Sequence, residues 1–353
     1  MTAAIARMAT RVIPVPLSRP WGPDVRQVTV IEVTIERGDG APGRGFAWTP
    51  SIGATAVEAL LRNDLGPWLL GRPATPGVWQ AAWEHLHEAG GGGITTIALA
   101  GVDLALWDLT LREQGLSLAD ALGRRHESQP AYGSGVNLHY SLDELVAQAE
   151  RWRAAGYRGA KIKVGRPDLV EDIDRVAAVR EAIGDGMRLM VDANQRWDLP
   201  TAVRAVGELA RFDIAWIEEP LRSDDTRGYR ALRRSIDVPV ALGENVHTIH
   251  RFRDLIDADA IDVMQPNVIR VGGITPFRGI AALAADAGLQ LAPHLLPELS
   301  AQLAFAEPDA CWVEDVEDAR FETLGVLAEP SGVEIVDGRA VGGHAPGIGL
   351  RFA

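Results

Sequence analysis

The sequence predicts an α/β protein in which a parallel β/α barrel follows a separate α+β unit. Three observations carry that prediction. From Tyr132 onward short apolar runs alternate with helical ones, and eight strand candidates can be counted, the number that closes a barrel. Before that point strand-like runs come first and helical runs follow, the grammar of an α+β unit. Within the alternating region Asp192, Glu218 and Glu244 each close a strand candidate, with 26 residues from each to the next, about one strand, loop and helix.

Residues 11–17 and 27–36 show β-branched alternation, and Gly38-Asp39-Gly40 is a turn signal between the second run and GRGFAW, so an antiparallel meander is expected. Helical patterns cover 55–70, 76–88 and 95–114, the last containing GVDLALWDL with apolar residues at helical spacing. The Gly90 to Gly93 run lacks the lysine and hydroxyl of a P-loop and follows no strand, so it reads as a flexible hinge or lid loop. The barrel strands are expected in YGSGVNL, GAKIKV, RLMVDAN, AWIEEP, VPVALGEN, AIDVMQPN, LQLAPH and CWVED. Between them, 142–155, 169–183, 200–211 and 275–287 each offer a face of Ala, Val and Leu for the barrel exterior. Residues 332–353 carry Gly and Pro turns and short β-prone pieces, a tail that fits a return to the first domain.

With 353 residues the chain can bury a large core and has room for a barrel plus a smaller domain. Its 35 Lys and Arg against 48 Asp and Glu leave a net charge of −13, which argues against nucleic acid or an anionic membrane as partner. Cys311 is the only cysteine, so no intramolecular disulfide or thiolate metal cluster is expected, and a reducing compartment is. The first residues lack a signal-peptide pattern, and no stretch offers about twenty uninterrupted apolar residues, so a soluble, cytoplasmic protein is expected.

In such barrels the reacting groups sit at the carboxyl ends of the strands. Three carboxylates gathered there call for a hard cation bound through oxygen, magnesium first. The second barrel strand ends in Lys161-Ile162-Lys163, and alternation points both lysines inward, where mutual repulsion should lower the pKa of at least one toward that of a useful base. Asn194 stands beside Asp192; the last three strands end in Gln265-Pro266-Asn267, Pro293-His294 and Glu314. His294, across the mouth from the lysines, offers a second acid/base group on the opposite face of a substrate. Glu314 reads either as a hydrogen-bond donor to a substrate carboxylate, if burial raises its pKa, or as a loop carboxylate.

At these residues the chain resembles the enolase superfamily, mandelate racemase subgroup. The resemblance runs from GVDLALWD (101–108) through KIK, VDAN, WIEEP, GEN, VGGIT (271–275) and HLLPELSAQL (294–303), nearly the whole length. It implies a modified TIM (β/α) barrel over residues 126–320 under an α+β capping domain built from residues 1–125 and the returning segment 321–353. It also implies magnesium held by Asp192, Glu218 and Glu244, Lys163 and His294 as bases, Lys161 near the substrate carboxylate and Glu314 hydrogen-bonded to it. The reaction implied is abstraction of the proton alpha to a carboxylate, with the second negative charge held by metal and donor. A sugar acid, aldonate or aldarate, would lose water; racemisation, epimerisation or cycloisomerisation of a hydroxy acid is the alternative. A homo-oligomer is implied as well.

One departure stands out. The subgroup usually pairs the histidine with an aspartate where this chain has Asn267. Asparagine is expected to accept the Nδ1 hydrogen bond but adds no charge, which weakens the role of His294 and also admits a barrel that binds an acid without turning it over. Arg270 is a cation near the same edge, or a solvated loop charge. Arg19, Trp21 and Trp48 are the capping-loop candidates for touching substrate.

Overall fold

The computed structural model describes residues 3–22 and 25–353. The amino-terminal sheet is antiparallel in the order β1 (Ile5–Trp21), β2 (Val25–Arg37), β3 (Pro42–Thr49). One face carries the helix Ile94–Gln114, which is apolar nearly all round. Its mean hydropathy of 1.5 and its length would suit a membrane span, yet 83% of the apolar window is buried inside the protein. A helix buried on all sides needs no polar face. Gly45 in β3 explains how closely it lies: a Cβ there would come within 2.4 Å of Ala105 N and Gly101 O, so glycine lets helix and strand backbones touch. Shorter helices at Ala54–Leu60, Gly66–Leu69 and Trp79–His85 complete the cap, with Leu61–Leu65 wound as a π-turn between the first two.

Eight parallel strands follow: β4 (Ser128–Ser134), β5 (Gly159–Lys163), β6 (Arg188–Asp192), β7 (Ile214–Glu218), β8 (Val240–Leu242), β9 (Val263–Met264), β10 (Gln290–Leu291) and β11 (Val313–Val316). Neighbours pair in sequence, and β11 pairs with β4. Among the described residues no ladder joins β10 to β11, so the barrel is hydrogen-bonded on every seam but that one. β4 begins earlier than the alternation suggested and stops at Ser134. Beyond it Asn137 leaves the strand direction, its Oδ1 accepting Lys163 N–H at 2.9 Å and its Nδ2 donating to Gln148 at 2.8 Å.

The expected exterior helices lie at Leu142–Ala154, Leu169–Ile183, Leu199–Leu209 and Ile274–Asp286, joined by Thr226–Arg233, Ile249–Asp257 and Pro297–Ala304. Several starts are set by side chains: Ser141 with Glu144 forms a capping box, and Asp168, Asp198, Asp225 and Thr248 each accept a first-turn N–H.

The tail divides. The hairpin β12 (Val333–Val336) and β13 (Arg339–Gly342) stays with the barrel, β13 pairing antiparallel with the start of β4. Phe321 and the last residues reach the cap: the Phe321 and Phe352 rings pack edge-on to Phe46 at 5.5 and 5.3 Å, and Ile348 N–H meets Asp108 Oδ1 at 3.2 Å. Residues 321–353 are thus split between the two domains rather than returning whole.

The cap also grips the barrel through two motifs far apart in sequence. Asp103 Oδ1 accepts the Thr275 hydroxyl at 2.6 Å, Asp103 Oδ2 accepts Thr275 N–H at 2.9 Å, and Trp107 Nε1 donates to the same hydroxyl at 3.0 Å. Gly273 is required beneath them, since its φ is +112° and a Cβ would lie 2.3 Å from Asp103 Oδ2. Burial pushes the Asp103 carboxyl up to about 7, against the Thr275 hydrogen bonds that lower it. A carboxyl raised above its unfolded value, about 3.9, contributes its full stability below that value and loses it as pH rises through the folded pKa. Asp103→Asn has nothing to titrate. Its stability relative to wild type should therefore improve by roughly 1–4 kcal/mol between about pH 5 and pH 8, read as the pH dependence of denaturant midpoints.

Candidate active site

The barrel interior is plugged below its carboxyl end by Tyr132, Met190, Trp216, Ala241, Val263 and Ala292, with the Tyr132 and Trp216 rings edge-to-face at 5.7 Å. Charged groups from the strand ends rest on this dry floor. Alternation turns both lysines of β5 inward, as expected: Lys161 is 1% exposed and its Nζ sits 5.6 Å over the Tyr132 ring. It donates to both oxygens of Glu218 at 2.8 and 2.7 Å and reaches Glu314 Oε1 at 2.7 Å. Lys163 Nζ donates to Asp192 Oδ2.

Asp192, Glu218 and Glu244 converge, each offering an oxygen so that all three lie within 4.8 Å of one another. Amides surround them: Asn194 N–H to Asp192 at 2.8 Å, Gln265 Nε2 to Glu218 at 2.6 Å and Asn245 Nδ2 to Glu244 at 2.9 Å. Burial drives Glu218 up to about 7 even with Lys161 opposing it, whereas Glu244, against which burial also works, is held low by His294 and the lysines. Three buried carboxylates this close repel strongly, and an all-oxygen set of this kind suits a hard divalent cation. The residues fit magnesium.

Glu219, the second acid of WIEEP, was not among the expected site residues. Alternation would send it away from Glu218, but β7 ends there and Glu219 turns with φ of 39°, which buries it beside the cluster. Gln195 Nε2 and Asn245 Nδ2 both donate to its Oε2 at 2.8 Å, while its buried Oε1 has no hydrogen-bond partner among the described residues. Burial, then Glu244 and Asp192, push its pKa well up. The only hint in the sequence was its adjacency to Glu218.

Three electrostatic expectations are corrected. Lys163 is not depressed: burial and Lys161 both lower its pKa, but the Asp192 contact wins and the net shift is upward. Glu314 is not a neutral donor. Burial would raise it, yet Lys161 and His294 hold it low, near 2, and its Oε2 already accepts Leu295 N–H at 3.0 Å.

The third concerns Asn267. Its Oδ1 accepts the backbone N–H groups of Ile269 at 2.9 Å and Arg270 at 3.1 Å. Only the amide nitrogen is left to face His294 Nδ1, at 2.9 Å. Asn267 therefore donates rather than accepts. Nδ1 must be unprotonated, and the ring proton lies on Nε2, which is 2.7 Å from Glu244 Oε2. For the second proton, burial opposes, Glu244 and Glu314 favour, and the net effect raises the pKa of His294; the amide N–H at Nδ1 works against it.

Similarity to known proteins is extensive. Residues 1–123 match the mandelate racemase/muconate lactonizing enzyme N-terminal domain, and residues 144–353 match the enolase C-terminal domain-like model. The chain belongs to the mandelate racemase/muconate lactonizing enzyme family. It is 39% identical over 91% of its length to a 3,6-anhydro-alpha-L-galactonate cycloisomerase of Streptomyces coelicolor, covering 88% of that protein. It is 37% identical over 93% of its length to an L-talarate/galactarate dehydratase of Salmonella typhimurium, covering 81% of it. An L-talarate dehydratase from Polaromonas sp., solved with Mg and L-glucarate, superposes with a TM-score of 0.89 at 38% identity, covering 100% of this chain and 96% of that one.

In this family member the capping-loop candidates part company. Trp21 lines a cavity beside Lys163 and Asn194, and Trp48 supports it from behind at 6.2 Å between ring centroids. Arg19 does not line that cavity; it stacks 3.4 Å above Tyr140 and pairs with Glu144 at 2.8 Å. Arg270 is half-buried, its carbonyl 3.2 Å from His247 Nδ1. In the glycine run Gly92 lies against the barrel, a Cβ there coming 3.0 Å from His247 Cβ, while Gly90 and Gly91 are exposed.

The Asn267 geometry is open to direct reading. Nitrogen-15 NMR of the histidines should show His294 with a pyridine-type Nδ1 and a protonated Nε2. Asn267→Asp, which offers an acceptor to Nδ1, should move the proton to Nδ1 and raise the ring pKa further. An unchanged tautomer would contradict the assignment.

Proposed function

We propose that this chain is a magnesium-dependent enzyme of the carboxylate α-proton class, and that its reaction is dehydration of a sugar acid to a 2-keto-3-deoxy acid. The observation that carries this reading is the meeting of Lys163 with three converging carboxylates over a dry barrel floor, beside a cavity that opens at Lys163. A proton alpha to a carboxylate is too weakly acidic for an unaided amine, so positive charge is needed where the second negative charge develops. Magnesium held by Asp192, Glu218 and Glu244 would supply that charge and offset the pull of Asp192 on Lys163.

The chain's own residues do the rest. Lys163 Nζ takes the α-proton. Lys161, anchored between Glu218 and Glu314, keeps a fixed positive charge under the substrate carboxylate. His294, in the doubly protonated form that Glu244 and Glu314 favour, gives its Nε2 proton to the departing β-hydroxyl, which leaves as water. Dehydratases of talarate, galactarate and arabinonate among the relatives support elimination. The second reading, cycloisomerisation, is favoured by the two cycloisomerases at 39% and 33% identity. Racemisation is less suited, because a second base needs a bare Nε2 and Asn267 keeps the proton there. The buried single cysteine fits a cytoplasmic protein, and a homo-oligomer is part of this reading.

The deciding experiment incubates the protein and Mg²⁺ with aldonic and aldaric acids in D₂O, with keto-acid detection and proton NMR. A keto product lost in Lys163→Ala by about a thousandfold or more, and lost with EDTA, is expected. Deuterium at the α-carbon without a keto product would move the assignment to an isomerase. Silence in both channels would leave an acid-binding barrel.

A further inference from the structure

The cavity beside Lys163 carries a charge pattern that α-carbon chemistry alone does not demand. Its volume is about 490 Å³, and its lining includes Trp21, His139, Lys163, Arg166, Asn194 and Arg196. Three cations line it and no carboxylate does, among the described residues, in a protein whose net charge is −13. The acids nearby in sequence are committed elsewhere. Glu171 pairs with Arg166 at 2.8 Å, Asp172 accepts Gly165 and Arg166 N–H at 2.8 and 3.0 Å, and Asp168 and Asp198 cap helices through Val170 and Thr201 N–H, each at 2.9 Å.

The two arginines differ. Arg166 is built into the wall, donating to Leu138 O at 2.8 Å and Tyr140 O at 3.1 Å as well as to Glu171. Arg196 makes no side-chain hydrogen bond or ion pair among the described residues, and its stem crosses the backbone just past Lys163. At Gly165, with φ of +100°, a Cβ would lie 2.7 Å from Arg196 Cδ, so glycine leaves the room in which that stem lies. Lys163, Gly165 and Arg196 line the same cavity. A substrate whose α-carbon sits at Lys163 Nζ and whose carbon chain follows this path brings its far end to Arg196.

We propose that Arg196 reads the far end of the substrate and that this end is a second carboxylate. The site then takes an aldaric acid in preference to the aldonic acid of the same configuration. This rests on the sugar-acid reading above and narrows it. A guanidinium fork matches a carboxylate with two parallel hydrogen bonds, whereas the terminal hydroxymethyl of an aldonate offers one neutral oxygen.

The test is calorimetry on the full chain carrying Lys163→Ala, with Mg²⁺, against a panel of matched pairs such as galactarate with galactonate and glucarate with gluconate. In the best-bound pair the diacid should bind at least tenfold tighter. Adding Arg196→Gln should collapse that gap while leaving the monoacid within about twofold, and Arg196→Lys, which keeps the charge without the fork, should restore part of it. Equal affinities in every pair, no binding of any diacid, or a gap indifferent to Arg196→Gln would overturn the assignment. Turnover separates the two readings: keto product from monoacids alone overturns the role of Arg196 and leaves the chemistry standing. A diacid preference in binding, with no keto product or α-deuteration from any acid, supports Arg196 and sinks the chemistry.

Discussion

The crowding of like charge at the barrel mouth is the constraint on which the rest depends. Asp192, Glu218 and Glu244 bring oxygens within 4.8 Å of one another over a buried, mostly apolar floor. In so poor a dielectric such a cluster persists only if cations and amide dipoles face it from several directions. β5 supplies Lys161 and Lys163, the turn after β6 supplies Asn194 and Gln195, and the turn after β8 supplies Asn245. Gln265 closes the far side. They come from four different strand ends, so the barrel's closure order, rather than any local sequence, assembles the compensation.

That arrangement also explains why the cap must be seated firmly. Trp21 is the cap's contribution to the cavity wall, and its position is set by β1 and by Trp48 behind it. The sheet is registered to the barrel through the long apolar helix. Asp103 and Trp107 of that helix bind Thr275, and Asp108, next to Trp107, gathers Arg44 N–H at 3.0 Å, Arg112 and the returning tail. A single helix therefore carries the geometry of the barrel exterior to the loop over the reacting carbon. The buried carboxyl of Asp103 is satisfied by hydrogen bonds alone, and burial moves its pKa up.

What could be read from the sequence was what period and spacing encode. Strand alternation places Lys161 and Lys163 on one face, and an equal step of 26 residues brings three carboxylates to one rim; both follow from backbone geometry alone. What could not be read depends on a particular side-chain contact. The inward turn of Glu219 needs the left-handed backbone that ends β7, and the charge state of Glu314 needs Lys161 at 2.7 Å. The removal of Arg19 from the cavity needs Tyr140 and Glu144, far along the chain. The split of the tail needs β4 to begin at Ser128, where its exposed edge accepts β13.

Asn267 joins these two levels. In sequence it looks like an aspartate without its charge, a weaker version of the same partner. In the structure its carbonyl is held by two backbone N–H groups, so its chemistry toward His294 is reversed from acceptor to donor. The two faces of the site are then unequal by construction: an amine beside Asp192 on one, a ring that holds its proton at Nε2 on the other. A reaction that returns a proton to the same carbon from either face needs two interchangeable bases, and this pair is not interchangeable. An elimination removes a proton from one carbon and meets an oxygen leaving the next, which is the asymmetry that Lys163 and His294 present. The choice between water and a ring oxygen as leaving group then falls to the cavity wall, where the shape and charge of the substrate's far end are met.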